Sequence, residues 1–213
     1  MTEIYYPVFL NLQDRRCLVA GGGQVALRKA NTLLEYGARV TVISPRLCAG
    51  MHKLSSGGRI KVINRAYQPG DIKGFHLAVV ATGNRGVNLA AAEEAKKRGV
   101  PVNVVDDPVL SDFIVPSIMR RGSLCIAVST SGKSPALARK IRSRLEDEFS
   151  KEYALLVPVI EKVRRQLKRQ GLKVSSKDWQ EAIDLDSMID LIRKGRGTEA
   201  GEALLEKLRK CGN

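Results

Sequence analysis

Three consecutive glycines, Gly21-Gly22-Gly23, end an apolar run, Cys17-Leu18-Val19-Ala20, and open a segment in which Ala26, Ala30, Leu33 and Leu34 recur at helical spacing. No other stretch constrains the fold as strongly. A short, wholly apolar run suits a strand buried on both faces. The spacing after the glycines predicts a helix over Val25 to Tyr36, stopped by Gly37. Gly21-Gly22-Gly23-Gln24-Val25-Ala26 therefore fits Gly-x-Gly-x-x-Ala between a strand and a helix. In that setting the first glycine permits a tight turn, the second lets backbone approach a pyrophosphate, and the small last residue lets the helix pack on the strand. The free N–H groups and positive dipole end of the helix then attract phosphate. Gly21, Gly23, Gln24 and Val25 are the expected contacts to a dinucleotide.

Strand and helix signals go on alternating. Val40 to Ile43, Ile60 to Ile63, Leu77 to Ala81 and Val102 to Val105 read as strands, and Asn88 to Arg98 reads as a helix ended by Gly99. Such alternation implies right-handed crossovers and a parallel sheet covered on both faces, an α/β domain of the Rossmann type. Ligands of such sheets gather at the carboxyl ends of the strands. One expected residue is missing there. A carboxylate usually holds the adenosine ribose, yet the second strand ends in Ile43-Ser44-Pro45-Arg46, and no Asp or Glu lies between Glu35 and Asp71. Ser44 is expected to bond a ribose hydroxyl beside Pro45, and Arg46 to stack on adenine or meet a 2′-phosphate. These residues alone leave NAD and NADP both open. Thr82 and Asn84, after the fourth strong strand, read as cofactor neighbours or as a polar turn. In Asn103-Val104-Val105-Asp106-Asp107-Pro108, Asp106 reads either as a carboxylate at a strand end or as part of a turn. Strand alternation should point Asp107 the other way.

The pattern changes near residue 113. Leu124 to Ser129 is one more strand. Ser134 is placed to cap a helix that begins with Pro135 and runs to Glu148. Beyond Tyr153 there is only helical periodicity, with breaks at Gly171 and Gly195-Arg196-Gly197. The expected organisation is a nucleotide-binding domain over 1–113, a small α+β region over 114–150 and a helical tail over 151–213. The tail looks too short for a core of its own, so it should pack on something else. The net charge is +14, and Phe113 to Leu145 contains no acid but carries Arg120, Arg121, Lys133, Arg139, Lys140, Arg142 and Arg144. Aromatic residues are only 5% and are not interleaved with these cations, which disfavours a single-stranded nucleic-acid platform and leaves an anionic membrane surface or a small polyanionic substrate open. No apolar run approaches the roughly 18 residues of a membrane span, and the start does not read as a signal peptide. The four cysteines form no Cys-x-x-Cys pair and His52 and His76 fit no ligand spacing, so no metal site is expected and the cytoplasm is the expected compartment.

Four stretches, taken in order, carry a resemblance: Val19 to Ala30, Asn103 to Pro108, Phe113-Ile114-Val115-Pro116-Ser117, and Ala127 to Arg139. Over about residues 4–150 the chain resembles precorrin-2 dehydrogenase, the dehydrogenase/ferrochelatase part of siroheme synthase. The resemblance implies oxidation of precorrin-2 to sirohydrochlorin with NAD accepting hydride, and in some members insertion of iron. It implies a homodimer, with a dimerisation domain formed by the segment after Phe113, substrate lying between that and the Rossmann domain, and the aspartate matching Asp106 as the catalytic residue. Ser117, Ser131, Lys133 and Arg139, in the third and fourth stretches, are the expected substrate contacts. The substrate class, a macrocycle with eight carboxylates, suits the acid-free segment. The tail after Glu152 matches no pattern, and the chain ends too early for the methyltransferase module fused to some relatives. A rival reading is a regulatory module that senses NAD without chemistry, against which Asp106 at the cleft argues; another is a nucleic-acid-binding protein.

Overall fold

The computed structural model describes residues 4–211. It divides into two compact units, one ending at Val115 and the other beginning at Pro116. The stretch after Val115, read from the sequence as two regions, thus clusters as one.

The first unit is built on five parallel strands: β1 (Arg16–Ala20), β2 (Arg39–Ile43), β3 (Lys61–Ile63), β4 (Leu77–Val80) and β5 (Val102–Val104). Their order, β3-β2-β1-β4-β5, reverses direction at β1 and β4. Along β1 the side chains alternate between two cores. Cys17 and Val19 pack with Ala26, Ala30 and Leu33 of α1 (Gln24–Glu35) and Met51 of α2 (Ala49–Ser56). Leu18 and Ala20 pack with Ala91, Ala92 and Ala95 of α3 (Arg85–Arg98). A strand with both faces covered must be apolar throughout, which is why the run before the glycines has no polar residue. Burial raises the Cys17 thiol to about 11, so it sits as an inert core group.

Both long helices of this unit end as their glycines dictate. At the end of α1, Gly37 has φ +76, its N–H donates to Leu34 O, and the Ala38 N–H donates back to Leu33 O, a Schellman closure. α3 ends at Gly99 with φ +64. The start of α3 differs from expectation. It begins at Arg85 rather than Asn88, because Asn84 caps it, its side chain accepting from the Val87 N–H at 3.1 Å.

The second unit opens with an antiparallel hairpin, β6 (Ser117–Arg121) and β7 (Leu124–Val128), turning at Gly122 with φ +57. Helix α4 (Pro135–Glu148) begins as expected, with Pro135 in its first turn and Ser134 accepting from the Leu137 N–H. Arg121 donates to the carbonyls of Phe149 and Glu146 and so closes the far end of α4. Four helices follow: α5 (Tyr153–Arg169), α6 (Ser176–Ala182), α7 (Leu185–Arg193) and α8 (Gly197–Cys211). The expectation that this tail lacks a core is corrected. Leu156, Val163, Leu167, Met188, Leu204 and Leu208 are all buried in a cluster drawn only from the tail. Four amphipathic helices supply enough apolar faces to enclose it.

Candidate nucleotide-binding site

The three glycines occupy three different environments. Gly21 has φ +125, and a Cβ there would lie 2.3 Å from the Ala81 carbonyl oxygen at the end of β4. A Cβ on Gly22 would fall 2.0 Å from the Arg46 carbonyl oxygen and 2.6 Å from Ser44 Oγ. Both positions must therefore be glycine for the loop to nest against its neighbours. Gly23 meets nothing within 4 Å. It is the N-cap of α1, without a side-chain cap and with no acidic residue in the first turn. Gly23, Gln24 and Val25 are exposed. The loop therefore presents uncapped helix N–H groups to open space at the switch point, the arrangement an anionic pyrophosphate fits. Gly22 was missed as a functional position by sequence reasoning. The signal was the third glycine itself, which Gly-x-Gly-x-x-Ala does not require.

Ser44 is corrected. It is 5% exposed, and its hydroxyl donates to the Arg46 carbonyl at 2.6 Å while accepting from the Arg46 N–H. Its one proton holds the turn after β2 and is not available to a ribose. Pro45 and Arg46 are exposed at that edge, and the Arg46 guanidinium bonds to no described residue. On the other side of β1, Thr82 and Asn84 follow β4. Thr82 Oγ1 bonds Asn88 Oδ1 and the Asn84 carbonyl, so these two residues build the start of α3. They stand at the carboxyl edge of the sheet beside the glycine loop, with Thr82 Oγ1 and Asn84 Oδ1 already partnered.

Asp106 also lies at this edge, but not on a strand. β5 stops at Val104, and the chain turns so that the Asp107 N–H donates to the Val104 carbonyl. Asp106 takes φ +61 in that turn. The expected strand alternation does not apply, because the turn and not the pleat separates the two aspartates. Asp107 is partly buried; its carboxylate accepts from the Leu110 N–H at 3.2 Å and its carbonyl from Ser111 Oγ at 2.7 Å. Asp106 is exposed and its carboxylate bonds to no described residue. Lys29, on α1, lies close enough to Asp106 for their charges to interact. Burial lowers the Lys29 pKa, Arg28 lowers it further, and Asp106 opposes both. Lys29 lies within the glycine-loop stretch, but no sequence signal gave it this neighbour.

The remaining expected contacts belong to the second unit. Ser117 pairs with Val128 at the open end of the hairpin, where the 129–134 turn leads into α4. In that turn Ser131 has φ +51 and its N–H bonds Ser129 Oγ. Lys133 and Arg139 are exposed and bond to no described residue. Arg142, another cation of the acid-free segment, is paired with Glu146 one turn along α4.

A five-stranded parallel sheet with an uncapped glycine loop at its switch point defines a dinucleotide-binding protein. The chain belongs to the putative NAD(P)-binding family, whose sequence model matches residues 8–117. A second model, described as the central part of sirohaem biosynthesis proteins, matches residues 121–148. The siroheme synthase of Methylococcus capsulatus is 38% identical over 205 residues, which are 95% of this chain and 43% of that protein. That of Methylobacillus flagellatus is 42% identical over 164 residues, 77% of this chain and 35% of that one. The chain spans less than half the length of these curated relatives. Among solved structures, SirC, a precorrin-2 dehydrogenase, superposes with a TM-score of 0.71 at 26% identity, covering 97% of this chain and 100% of that one.

Proposed function

We propose that this chain oxidises precorrin-2 to sirohydrochlorin with NAD as the acceptor. The observation that carries the reading is the free Asp106 carboxylate, held by a turn at the same sheet edge as the glycine loop. Similarity to SirC and to siroheme synthases supports the choice of substrate. A bound nicotinamide supplies a hydride acceptor. The chain's own residues do the rest. Gly23, Gln24 and Val25 hold the pyrophosphate with backbone N–H groups, and Gly21 and Gly22 set the loop's position. Oxidation also releases a proton, and Asp106 accepts it or orients the macrocycle through its ring nitrogens, with Lys29 supporting the carboxylate's charge. Ser117, Ser131, Lys133 and Arg139 hold the substrate's carboxylates. No carboxylate at the end of β2 repels a 2′-phosphate, so the preference for NAD over NADP is expected to be weak.

Three further elements complete the reading. Residues 1–113 bind the nucleotide, 114–150 contribute substrate contacts and a homodimer interface, and the protein works in the cytoplasm. Leu137 and Ile141 lie exposed one turn apart on α4 and suit such an interface. No helix among the described residues is long and apolar enough to cross a membrane. The test is anaerobic incubation with precorrin-2 and NAD, following NADH at its absorbance and sirohydrochlorin at its own. Nucleotide binding without NADH would leave a regulatory module. Repeating the assay with ferrous iron reports whether iron is inserted, and sedimentation at micromolar concentration reports the dimer.

A further inference from the structure

The carboxy-terminal bundle holds a concavity that the proposed reaction does not use. It lies among the second half of α5, the connection through Gly171 and α6, and measures about 720 Å³. Its floor is apolar, made by Ile160, Leu167, Leu172 and Val174, with Leu167 2% exposed. Trp179, the single tryptophan of the chain, stands on that floor. The rim carries Arg164, Lys168 and Lys173, and no acid lines the groove. None of these three cations has an ion-pair or hydrogen-bond partner among the described residues, whereas their neighbours Arg165 and Lys177 are paired with Glu161 and Glu181. The Trp179 indole N–H donates to no described group, yet no buried side-chain polar atom there lacks a partner, so it opens into free space.

Each element selects for one property of a ligand. A groove of this volume is the size of a small-molecule site. An apolar floor with an indole favours a flat apolar body. Three unpaired cations on the rim favour several peripheral anions. A membrane surface is a poor match, because the apolar residues are sunk below the cations instead of projecting past them. Nucleic acid is a poor match, because one aromatic ring makes no stacking platform.

We propose that this groove is a second binding site, taking a flat macrocyclic polycarboxylate of the substrate and product class. The choice of macrocycle rests on the function proposed above; the groove's preference for a flat polyanion does not. Bound there, the macrocycle is held by residues of the helical bundle alone.

The full chain, without nucleotide, is titrated with an octacarboxylate porphyrin, following Trp179 fluorescence and the heat of binding. A saturable event is expected that weakens with salt. Combining Arg164→Gln, Lys168→Gln and Lys173→Gln is expected to raise its Kd about tenfold or more, while Arg165→Gln, at a cation already paired with Glu161, leaves it unchanged. All three rim residues are exposed, so the variant keeps its fold, which circular dichroism checks. The proposal falls if the triple variant binds as tightly as the parent, if the uncharged octaester binds as well as the acid, or if a single-stranded oligonucleotide displaces the porphyrin. Turnover of precorrin-2 is read separately. Porphyrin binding that needs the rim cations, without NADH formation, overturns the dehydrogenase reading and leaves the groove. Turnover with an unaffected triple variant does the reverse.

Discussion

The Cys48 N–H donates to the carbonyl of Gly22 at 2.8 Å, tying the middle of the glycine loop to the segment that follows β2. On its other side, Gly22 sits where a Cβ would strike the Arg46 carbonyl. Its neighbour Gly23 has neither restraint. The two glycines should therefore respond differently. Gly22→Ala is expected to cost about 1–3 kcal/mol through forced displacement of packed backbone, and to lower nucleotide affinity with it. Gly23→Asp has room for its side chain and should keep the parent's Tm, but it sets a negative charge where pyrophosphate belongs. Calorimetry should find no NAD binding. Unchanged affinity in Gly23→Asp would refute the loop assignment.

The two adjacent aspartates separate in the same way. Asp106→Asn keeps a residue that tolerates the left-handed conformation, so the fold should hold. Its kcat is expected to fall about 10²-fold or more, the scale for losing a general base, with NAD binding intact. Asp107→Asn retains an acceptor for the Leu110 N–H and should cost little. Asp107→Ala loses that acceptor and should lower stability by about 1 kcal/mol. Steady-state kinetics beside thermal melts tells the two apart, and equal small effects on kcat would reduce Asp106 to a turn residue.

Arg46 is the residue expected to set the cofactor preference. It is exposed at the end of β2 with no partner among the described residues. Arg46→Glu introduces the carboxylate that this edge lacks. The ratio of kcat/KM for NAD to that for NADP should rise, chiefly through loss with NADP, since a 2′-phosphate then meets a like charge. An unchanged ratio would place the adenosine ribose elsewhere.

Acid should weaken the first unit through Glu94. This α3 side chain, 11% exposed, accepts from the Tyr67 hydroxyl, the Gly70 N–H at 2.8 Å and Arg98 at 2.6 Å. Burial pushes its pKa up, but these three donors and the Arg98 charge outweigh burial and hold it below the ordinary 4.5. A carboxyl lowered by folding contributes stability above its unfolded pKa, and that stability disappears as pH falls through the folded value. Glu94→Gln is therefore expected to lower Tm at pH 7, by roughly 3 °C for each kcal/mol lost. The gap between variant and parent should close in melts below pH 4.5.

The nucleotide loop was legible because strand, glycines and helix lie within about twenty residues and each part is a local signal. The Pro135 start of α4 was legible for the same reason. What was missed depends on partners distant in sequence. Helix α2 contains Gly50 and two serines, and it holds because Met51 is buried beside α1. Strand β6 reads Ser-Ile-Met-Arg-Arg with only Met119 buried, and pairing with β7 makes it a strand. The tail's periodicity was readable, but the meeting of its helices in one core was not. The bonding of Ser44 and the turn that separates Asp106 from Asp107 were not foretold, for a shared reason. Each sits just past a strand, where a hydrogen bond or a left-handed residue redirects the chain in a way the strand's own periodicity does not foretell.

The contrast between Gly22 and Gly23 also sets what each loss does in a cell. A change at Gly22 is expected to lower abundance, because a loop that cannot close destabilises the chain and more of it is cleared. A change at Gly23 is expected to leave a folded chain at full abundance that no longer binds nucleotide. Which of the two arises is decided by whether backbone lies behind the mutated glycine.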